Sequence, residues 1–146
     1  MTDKIRGAVI GYGAAFNMGH HHASQLKNTE GLDCIAICDI DKARTKAAKA
    51  DFPEVNTYND VKTMLKKEKE LDLVVVVLPH YLHAPVALEC LNAGKHVIVE
   101  KPMCITIAEA TEMINTAKEK GVMLTVYHNR RWDADFWTLR ELVNSG

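Results

Sequence analysis

The stretch with the clearest chemical potential lies near the N-terminus, where glycines follow directly after an apolar run. Gly11 and Gly13 stand in the segment VIGYGAAFNMGHHHA, residues 9–23. Glycine lacks a Cβ atom, so it lets backbone N–H groups approach a phosphate closely, and the positive end of a following helix adds to the attraction. The spacing G-x-G after an apolar run therefore predicts a turn that binds the pyrophosphate of a dinucleotide.

The third glycine of the G-x-G-x-x-G fingerprint is displaced, because Phe16 stands where that glycine is expected. Gly19 serves as the third glycine if the turn is three residues longer than usual. We therefore predict a lengthened turn whose residues contact the cofactor: Ala14, Ala15, Phe16, Asn17 and Met18. The alternative is a tight connection between strand and helix that binds no ligand.

An acidic residue follows the second apolar run at the distance that a dinucleotide site requires. Asp39 comes 20 residues after Gly19 and directly after LDCIAIC. A carboxylate at this point accepts hydrogen bonds from a ribose 2′-OH and repels a 2′-phosphate, which predicts NAD in preference to NADP. Lys42 and Arg44 lie close behind and weaken that preference. The alternative role for Asp39 is to cap the next helix.

The elements that must position these residues alternate along the chain. Apolar runs rich in β-branched residues predict six strands, at residues 4–10, 32–38, 55–58, 71–79, 95–100 and 122–127. Helical patterns follow them at 19–28, 41–50, 60–67, 83–92, 106–120 and 134–144. Such alternation predicts an α/β fold with a doubly wound parallel sheet, the Rossmann fold. Asp41 and Asp60 are expected N-caps, and Thr106 with Glu109 forms a capping box.

Ligands of such sheets bind at the carboxyl ends of the strands, which identifies further candidate contacts. We predict cofactor contacts from Leu78, Pro79, His80, His83, Glu100, Lys101, Asn129 and Arg131. Several alternatives stay open for these positions. Glu100 can be a charged partner for Lys101 or a cap for neighbouring N–H groups, and Arg131 can reach a substrate or pair with Asp133 or Asp135.

Three motifs together resemble the Gfo/Idh/MocA oxidoreductase family over essentially the whole chain. The segments PHYLHAP (residues 79–85) and GKHVIVEKP (residues 94–102) accompany the N-terminal turn. The matching residues are Gly11, Gly13, Gly19, His22 and Ala23 of the turn, Asp39, Pro79 and His83, the Glu100-Lys101-Pro102 hallmark, and Asn129, Arg131 and Trp132. Leu78 departs from the pattern, since many members carry Thr or Asn there.

The resemblance implies a two-domain NAD(P)-dependent dehydrogenase that transfers hydride to or from a sugar, a polyol or a related carbinol. It implies that Lys101 is catalytic, because a lysine beside the nicotinamide can stabilise the developing oxyanion or accept the hydroxyl proton. It also implies that residues 1–128 are the dinucleotide-binding domain and that residues 129–146 begin the crossover to an absent substrate domain. We therefore expect a fragment that binds NAD without efficient turnover, and a homo-oligomer when the protein is full length.

Two other functions remain open at this point. One is a non-catalytic, dinucleotide-sensing regulatory or binding module, against which the intact Glu100-Lys101-Pro102 argues. The other is a Rossmann domain for a different nucleotide, such as S-adenosylmethionine, which would leave Lys101 unexplained.

Composition limits the remaining possibilities. The chain of 146 residues is 47% hydrophobic and 25% charged, with a net charge of -1, so we expect neither a nucleic-acid partner nor a membrane. Four cysteines without a CxxC pair predict free thiols and a cytoplasmic location. The run His20–His22 predicts no metal site, since consecutive side chains on a helix diverge by about 100°. His22 is expected to pack at the start of that helix.

Overall fold

A single sheet of parallel strands forms the centre of the molecule. The computed structural model describes residues 4–13 and 15–146. The strands are β1 (Ile5–Ile10), β2 (Leu32–Cys38), β3 (Asn56–Tyr58), β4 (Leu73–Val76), β5 (His96–Val99) and β6 (Leu124–Val126). Their order in the sheet is β3-β2-β1-β4-β5-β6, and every neighbouring pair is parallel. The predicted doubly wound sheet is confirmed, and its strand order reverses between β1 and β4.

Helices connect the strands, and local sequence signals start several of them. The helices are α1 (Met18–Asn28), α2 (Lys42–Asp51), α3 (Val61–Lys67), α4 (His83–Asn92), α5 (Ile107–Lys120) and α6 (Ala134–Ser145). The side chain of Asp41 accepts from Ala43 N–H at the start of α2, as predicted. The capping box of Thr106 and Glu109 at α5 is also confirmed. These caps satisfy backbone donors that a helix N-terminus leaves without partners.

The core lies on both faces of the sheet. All four residues of β4 are buried, as a strand covered by helices on both faces requires. One apolar cluster includes Met64 of α3, Leu91 of α4 and Met113 of α5. The opposite cluster includes Leu26 of α1. Helices therefore cover both faces of the sheet. The carboxyl ends of β1 and β4, between which the strand order reverses, are the place where such sheets bind ligands.

The last helix stands apart from this core. Helix α6 follows a 3₁₀ turn at Asn129–Trp132, and it packs mainly against that turn. Three aromatic rings cluster here, since the ring centre of Trp137 lies within 6.3 Å of those of both Trp132 and Phe136. Leu139, like these aromatic residues, is exposed. Of the helices in the described part of the chain, none has the length and hydropathy to cross a bilayer.

Candidate cofactor and active site

The three glycines of the N-terminal turn meet three different surroundings. A Cβ atom on Gly11, whose φ is 104°, would lie 1.8 Å from the carbonyl oxygen of Val77 after β4. A Cβ atom on Gly19 would lie 2.3 Å from the carbonyl oxygen of Gly11. At Gly13, by contrast, a Cβ atom would meet nothing within 4 Å. Gly11 thus permits the tight turn, Gly19 permits close packing of α1 on the turn, and Gly13 leaves its backbone open to a ligand.

Two of the residues inserted before Gly19 have a left-handed backbone conformation. Phe16 has φ 58° and Asn17 has φ 51°, values that residues other than glycine seldom adopt. The Phe16 side chain is 95% exposed, and α1 begins directly afterwards at Met18. Within the described residues, the Asn17 side chain makes no cap hydrogen bond at this helix, so it satisfies none of the N–H groups of the first turn of α1. The predicted contact at Ala14 lies outside the described residues.

Asp39 stands at the mouth of the turn, held by the backbone on two sides. One carboxylate oxygen accepts a 2.7 Å hydrogen bond from Tyr12 N–H, and the other accepts a 2.9 Å bond from Asp41 N–H. The residue is half-buried. Each carboxylate oxygen has two lone pairs, so both can still accept from a ribose diol. The helix-capping role that was the alternative for Asp39 belongs instead to Asp41.

Tyr12 is a residue of this site that the sequence analysis did not single out. It lies between Gly11 and Gly13 in the sequence, its side chain is buried, and its hydroxyl donates a 2.6 Å hydrogen bond to Asp51 at the end of α2. Burial raises the pKa of Tyr12 above its usual value, so the hydroxyl stays protonated. Its N–H orients Asp39 while its hydroxyl fixes the turn to α2, which connects the two halves of the predicted dinucleotide site.

The segment after β4 contributes backbone groups more than side chains. Leu78 is half-buried, and Pro79 and His80 are exposed. His83 is only 1% exposed, with its Nε2 2.7 Å from the Leu78 carbonyl oxygen and its Nδ1 2.7 Å from the Pro102 carbonyl oxygen. Both ring nitrogens are therefore occupied within the protein, and His83 ties the end of β4 to the segment that carries Lys101.

Glu100 and Lys101 follow β5, and the first is buried whereas the second is exposed. Glu100 is 9% exposed and accepts a 2.8 Å hydrogen bond from His22 of α1. Its second oxygen accepts from the backbone N–H of Lys101 at 3.1 Å. The Lys101 side chain is exposed and makes no ion pair with residues 4–13 or 15–146. Glu100 thus caps the neighbouring backbone N–H of Lys101, and within the described residues it forms no ion pair with the Lys101 side chain.

One cavity brings the ends of three elements together. It has a volume of about 760 Å³ and is lined by residues that include Phe16, Met18, Lys101, His128, Asn129 and Arg131. These residues come from the lengthened turn, the end of β5 and the turn after β6. The predicted contacts at Pro79 and His80 lie outside its lining.

The alternative prediction for Arg131, an ion pair with Asp133 or Asp135, was wrong. Arg130, not Arg131, donates to Asp133, at 2.7 Å. The 3₁₀ turn explains the difference, because residues three apart eclipse one another on such a turn and residues two apart do not. Arg131 is consequently free of ion pairs among the described residues and faces the cavity.

Comparison with known proteins gives this geometry its context. Residues 5–128 match a family model, GFO_IDH_MocA, described as an oxidoreductase family with an NAD-binding Rossmann fold. The chain is 39% identical over its full length to the uncharacterized oxidoreductase YdgJ of Escherichia coli, and 99% of it aligns at 37% identity with the scyllo-inositol 2-dehydrogenase (NADP(+)) IolW of Bacillus subtilis. It covers 40% and 39% of these relatives, so it spans about two fifths of their length.

Solved structures agree. The myo-inositol 2-dehydrogenase of Lactobacillus plantarum superposes with a TM-score of 0.86 at 28% identity, covering 98% of this chain and 42% of that one. The WlbA dehydrogenase of Bordetella pertussis, in complex with NADH and UDP-GlcNAcA, gives the same TM-score, identity and coverage. The predicted fold and the predicted class of cofactor are confirmed.

Proposed function

The chain belongs to the Gfo/Idh/MocA family of oxidoreductases, and we propose that it supplies the NAD-binding half of a dehydrogenase acting on a sugar, a polyol or a related carbinol. The observation that carries the proposal is the position of Lys101. Its exposed side chain lies at the carboxyl end of β5 and lines the same cavity as Phe16 and Met18 of the glycine turn. The relatives named as dehydrogenases favour this function over a sensing module or a domain for S-adenosylmethionine.

The residues present fit a dinucleotide. The open space at Gly13 and the free positive end of α1 suit a pyrophosphate, which needs close backbone N–H groups. Asp39, oriented by Tyr12, suits the hydroxyls of the adenosine ribose. A 2′-phosphate would meet the Asp39 carboxylate at close range, so we propose that NAD binds more tightly than NADP. The Arg44 guanidinium lies 4.0 Å from the Asp41 carboxylate, so its charge already has a partner and offers little compensation.

Lys101 supplies the acid–base chemistry in this proposal. When bound, a nicotinamide cofactor supplies the group that accepts or returns the hydride. Oxidation of a carbinol also releases the hydroxyl proton, and in this proposal Lys101 Nζ accepts that proton or stabilises the negative oxygen. His128, Asn129 and Arg131 line the remaining wall of the cavity, where they can donate hydrogen bonds to substrate hydroxyls. Further substrate contacts would come from the rest of a longer protein, to which residues 129–146 lead.

Calorimetric titration of the 146-residue chain with NAD⁺ and NADP⁺ tests the cofactor assignment. We expect NAD⁺ to bind about tenfold more tightly, a difference of about 1.4 kcal/mol. Asp39→Asn should weaken NAD⁺ binding and remove the discrimination, because it abolishes the charge that repels a 2′-phosphate.

Asp41→Asn is the matched control. It makes the same change of charge two residues away, and asparagine caps a helix as well as aspartate does. Equal binding of both cofactors by the wild-type chain, or equal effects of the two substitutions, would contradict the role of Asp39.

A further inference from the structure

A buried polar pair joins the first helix to the strand end that carries Lys101. His22 of α1 is 4% exposed and Glu100 is 9% exposed, and the His22 Nε2 lies 2.8 Å from a Glu100 carboxylate oxygen. The two residues are 78 positions apart in the sequence. Buried polar groups are costly unless they are hydrogen-bonded, and an apolar pair of similar volume would fill the space at least as stably. The pair therefore calls for an explanation other than stability.

The carboxylate of Glu100 fixes the direction of this hydrogen bond, and the protonation state of His22 decides which tautomer it requires. Burial lowers the pKa of His22 below its ordinary value of 6.5, so the imidazole is neutral at about pH 7. A carboxylate only accepts, so the neutral ring must carry its proton on Nε2. The contact is thus an N–H···O bond from a neutral histidine to Glu100.

The second oxygen of the same carboxylate contacts the backbone of Lys101, the candidate catalytic residue. It accepts the backbone N–H of Lys101 at 3.1 Å, so Glu100 is held between α1 on one side and the Lys101 peptide on the other. Tyr127, at the end of β6, packs its ring edge-to-face on His22, with ring centres 4.5 Å apart. The Tyr127 hydroxyl lies 3.3 Å from Nε2 of His21, on the outer side of the helix. These contacts hold the His22 ring in a single orientation.

We propose that His22 is a positioning residue: through Glu100 it fixes the peptide of Lys101 relative to the glycine turn from which α1 starts. The proposal rests on the proposed function, since it gives Lys101 its role at the nicotinamide. His22 itself does not line the cavity, and its side-chain hydrogen bond is to Glu100. Its contribution is geometric. Helix α1 follows the turn proposed for the pyrophosphate, and Lys101 is the residue proposed to act beside the nicotinamide. A rigid link between them would set the distance between these two parts of one cofactor site.

The tautomer of His22 tests the first step in the unaltered chain. Long-range ¹H–¹⁵N NMR spectra of the imidazole distinguish a proton on Nε2 from one on Nδ1. We expect the Nε2–H tautomer of His22 between about pH 6.5 and 8. The Nδ1–H tautomer would overturn the proposal, because Nε2 would then have no proton to donate to Glu100.

Two substitutions test the second step. His22→Gln keeps an N–H donor near the position of Nε2, whereas His22→Leu keeps the apolar volume and loses the donor. The Lys101 amide should exchange its hydrogen about tenfold faster in the leucine variant than in the wild type, and the glutamine variant should restore most of the protection. A role in packing alone predicts the reverse order, so a protected Lys101 amide in His22→Leu would overturn the proposal.

The readouts separate this inference from the proposed function. Neither the tautomer nor the exchange of the Lys101 amide depends on cofactor binding or turnover. If the chain failed to bind NAD⁺ in calorimetry while the exchange results held, the proposed function would fail and the positioning link would stand. If NAD⁺ bound and His22→Leu left the Lys101 amide protected, the link alone would be refuted.

Discussion

Substitution of Gly19 by alanine tests whether the turn is a lengthened fingerprint. The added Cβ atom would lie 2.3 Å from the Gly11 carbonyl oxygen and 2.9 Å from the Tyr12 Cα. Both are backbone atoms of the turn, so neither can rotate away, and α1 must shift. Overpacking of this kind costs about 3 kcal/mol at the upper end of its usual range. Alanine returns about 1 kcal/mol of helix propensity, which leaves a net loss of about 2 kcal/mol.

Urea denaturation followed by circular dichroism measures this loss, and thermal unfolding should show a decrease in Tm of about 4–8 °C for a chain of this size. Gly13→Ala is the matched control, because its Cβ atom would meet nothing within 4 Å. We expect that variant to change the unfolding free energy by less than about 0.5 kcal/mol. If Gly19→Ala were as stable as Gly13→Ala, Gly19 would not be the packing glycine, and the turn would have to be interpreted differently.

Three further predictions concern the lysine, the buried histidine and a helix cap. Lys101→Ala should change the calorimetric Kd for NAD⁺ by less than about threefold, because the proposed contact of Lys101 is to substrate; in a full-length protein it should abolish hydride transfer. Burial lowers the pKa of His22 below 6.5. As the pH falls, the unfolded chain therefore binds a proton at this residue before the folded chain does. The unfolding free energy should therefore fall as the pH drops from about 6.5 toward the folded pKa, and denaturation series should show a shallower fall in His22→Gln. Thr106→Ala should cost about 1 kcal/mol in the same denaturation assay, since it removes the acceptor for Glu109 N–H; Thr111→Ala, on the exposed face of α5, is the control.

Local signals explain how much of the fold was predictable. The N-caps at Asp41, Asp60 and Thr106 depend on residues within three positions, and all three are confirmed. The positions of the strands were predictable because a run of β-branched residues that is apolar on both faces lacks the periodic pattern of an amphipathic helix. The strand ends were predicted less exactly: β4 covers Leu73–Val76 where residues 71–79 were predicted, and β3 begins at Asn56, one residue after its predicted start. Val55 is instead fully buried ahead of the strand.

Long-range pairing explains what the sequence could not predict. The packing of His22 near the start of α1 was expected, but its bond to Glu100 joins residues 78 positions apart and leaves no periodic signal. The Tyr12–Asp51 hydrogen bond likewise joins residues that are far apart in the sequence and leaves no periodic signal. A pair of Arg131 with Asp133 was one of the alternatives left open, whereas in the 3₁₀ turn that carboxylate accepts from Arg130. Turn geometry after β6 decided this pairing, and charge order alone does not specify it.

Titration of the ¹⁵N-labelled chain with NADH tests the central claim most directly, because it locates the cofactor residue by residue. The account predicts saturable shifts of the amides of Gly13, Met18 and Gly19 at the turn, together with Asp39 at one end and Lys101 at the other. The shifts of all five should fit a single Kd, as one extended ligand requires. Shifts confined to other surfaces, or a lack of saturable binding, would contradict the assignment of this turn as the dinucleotide site.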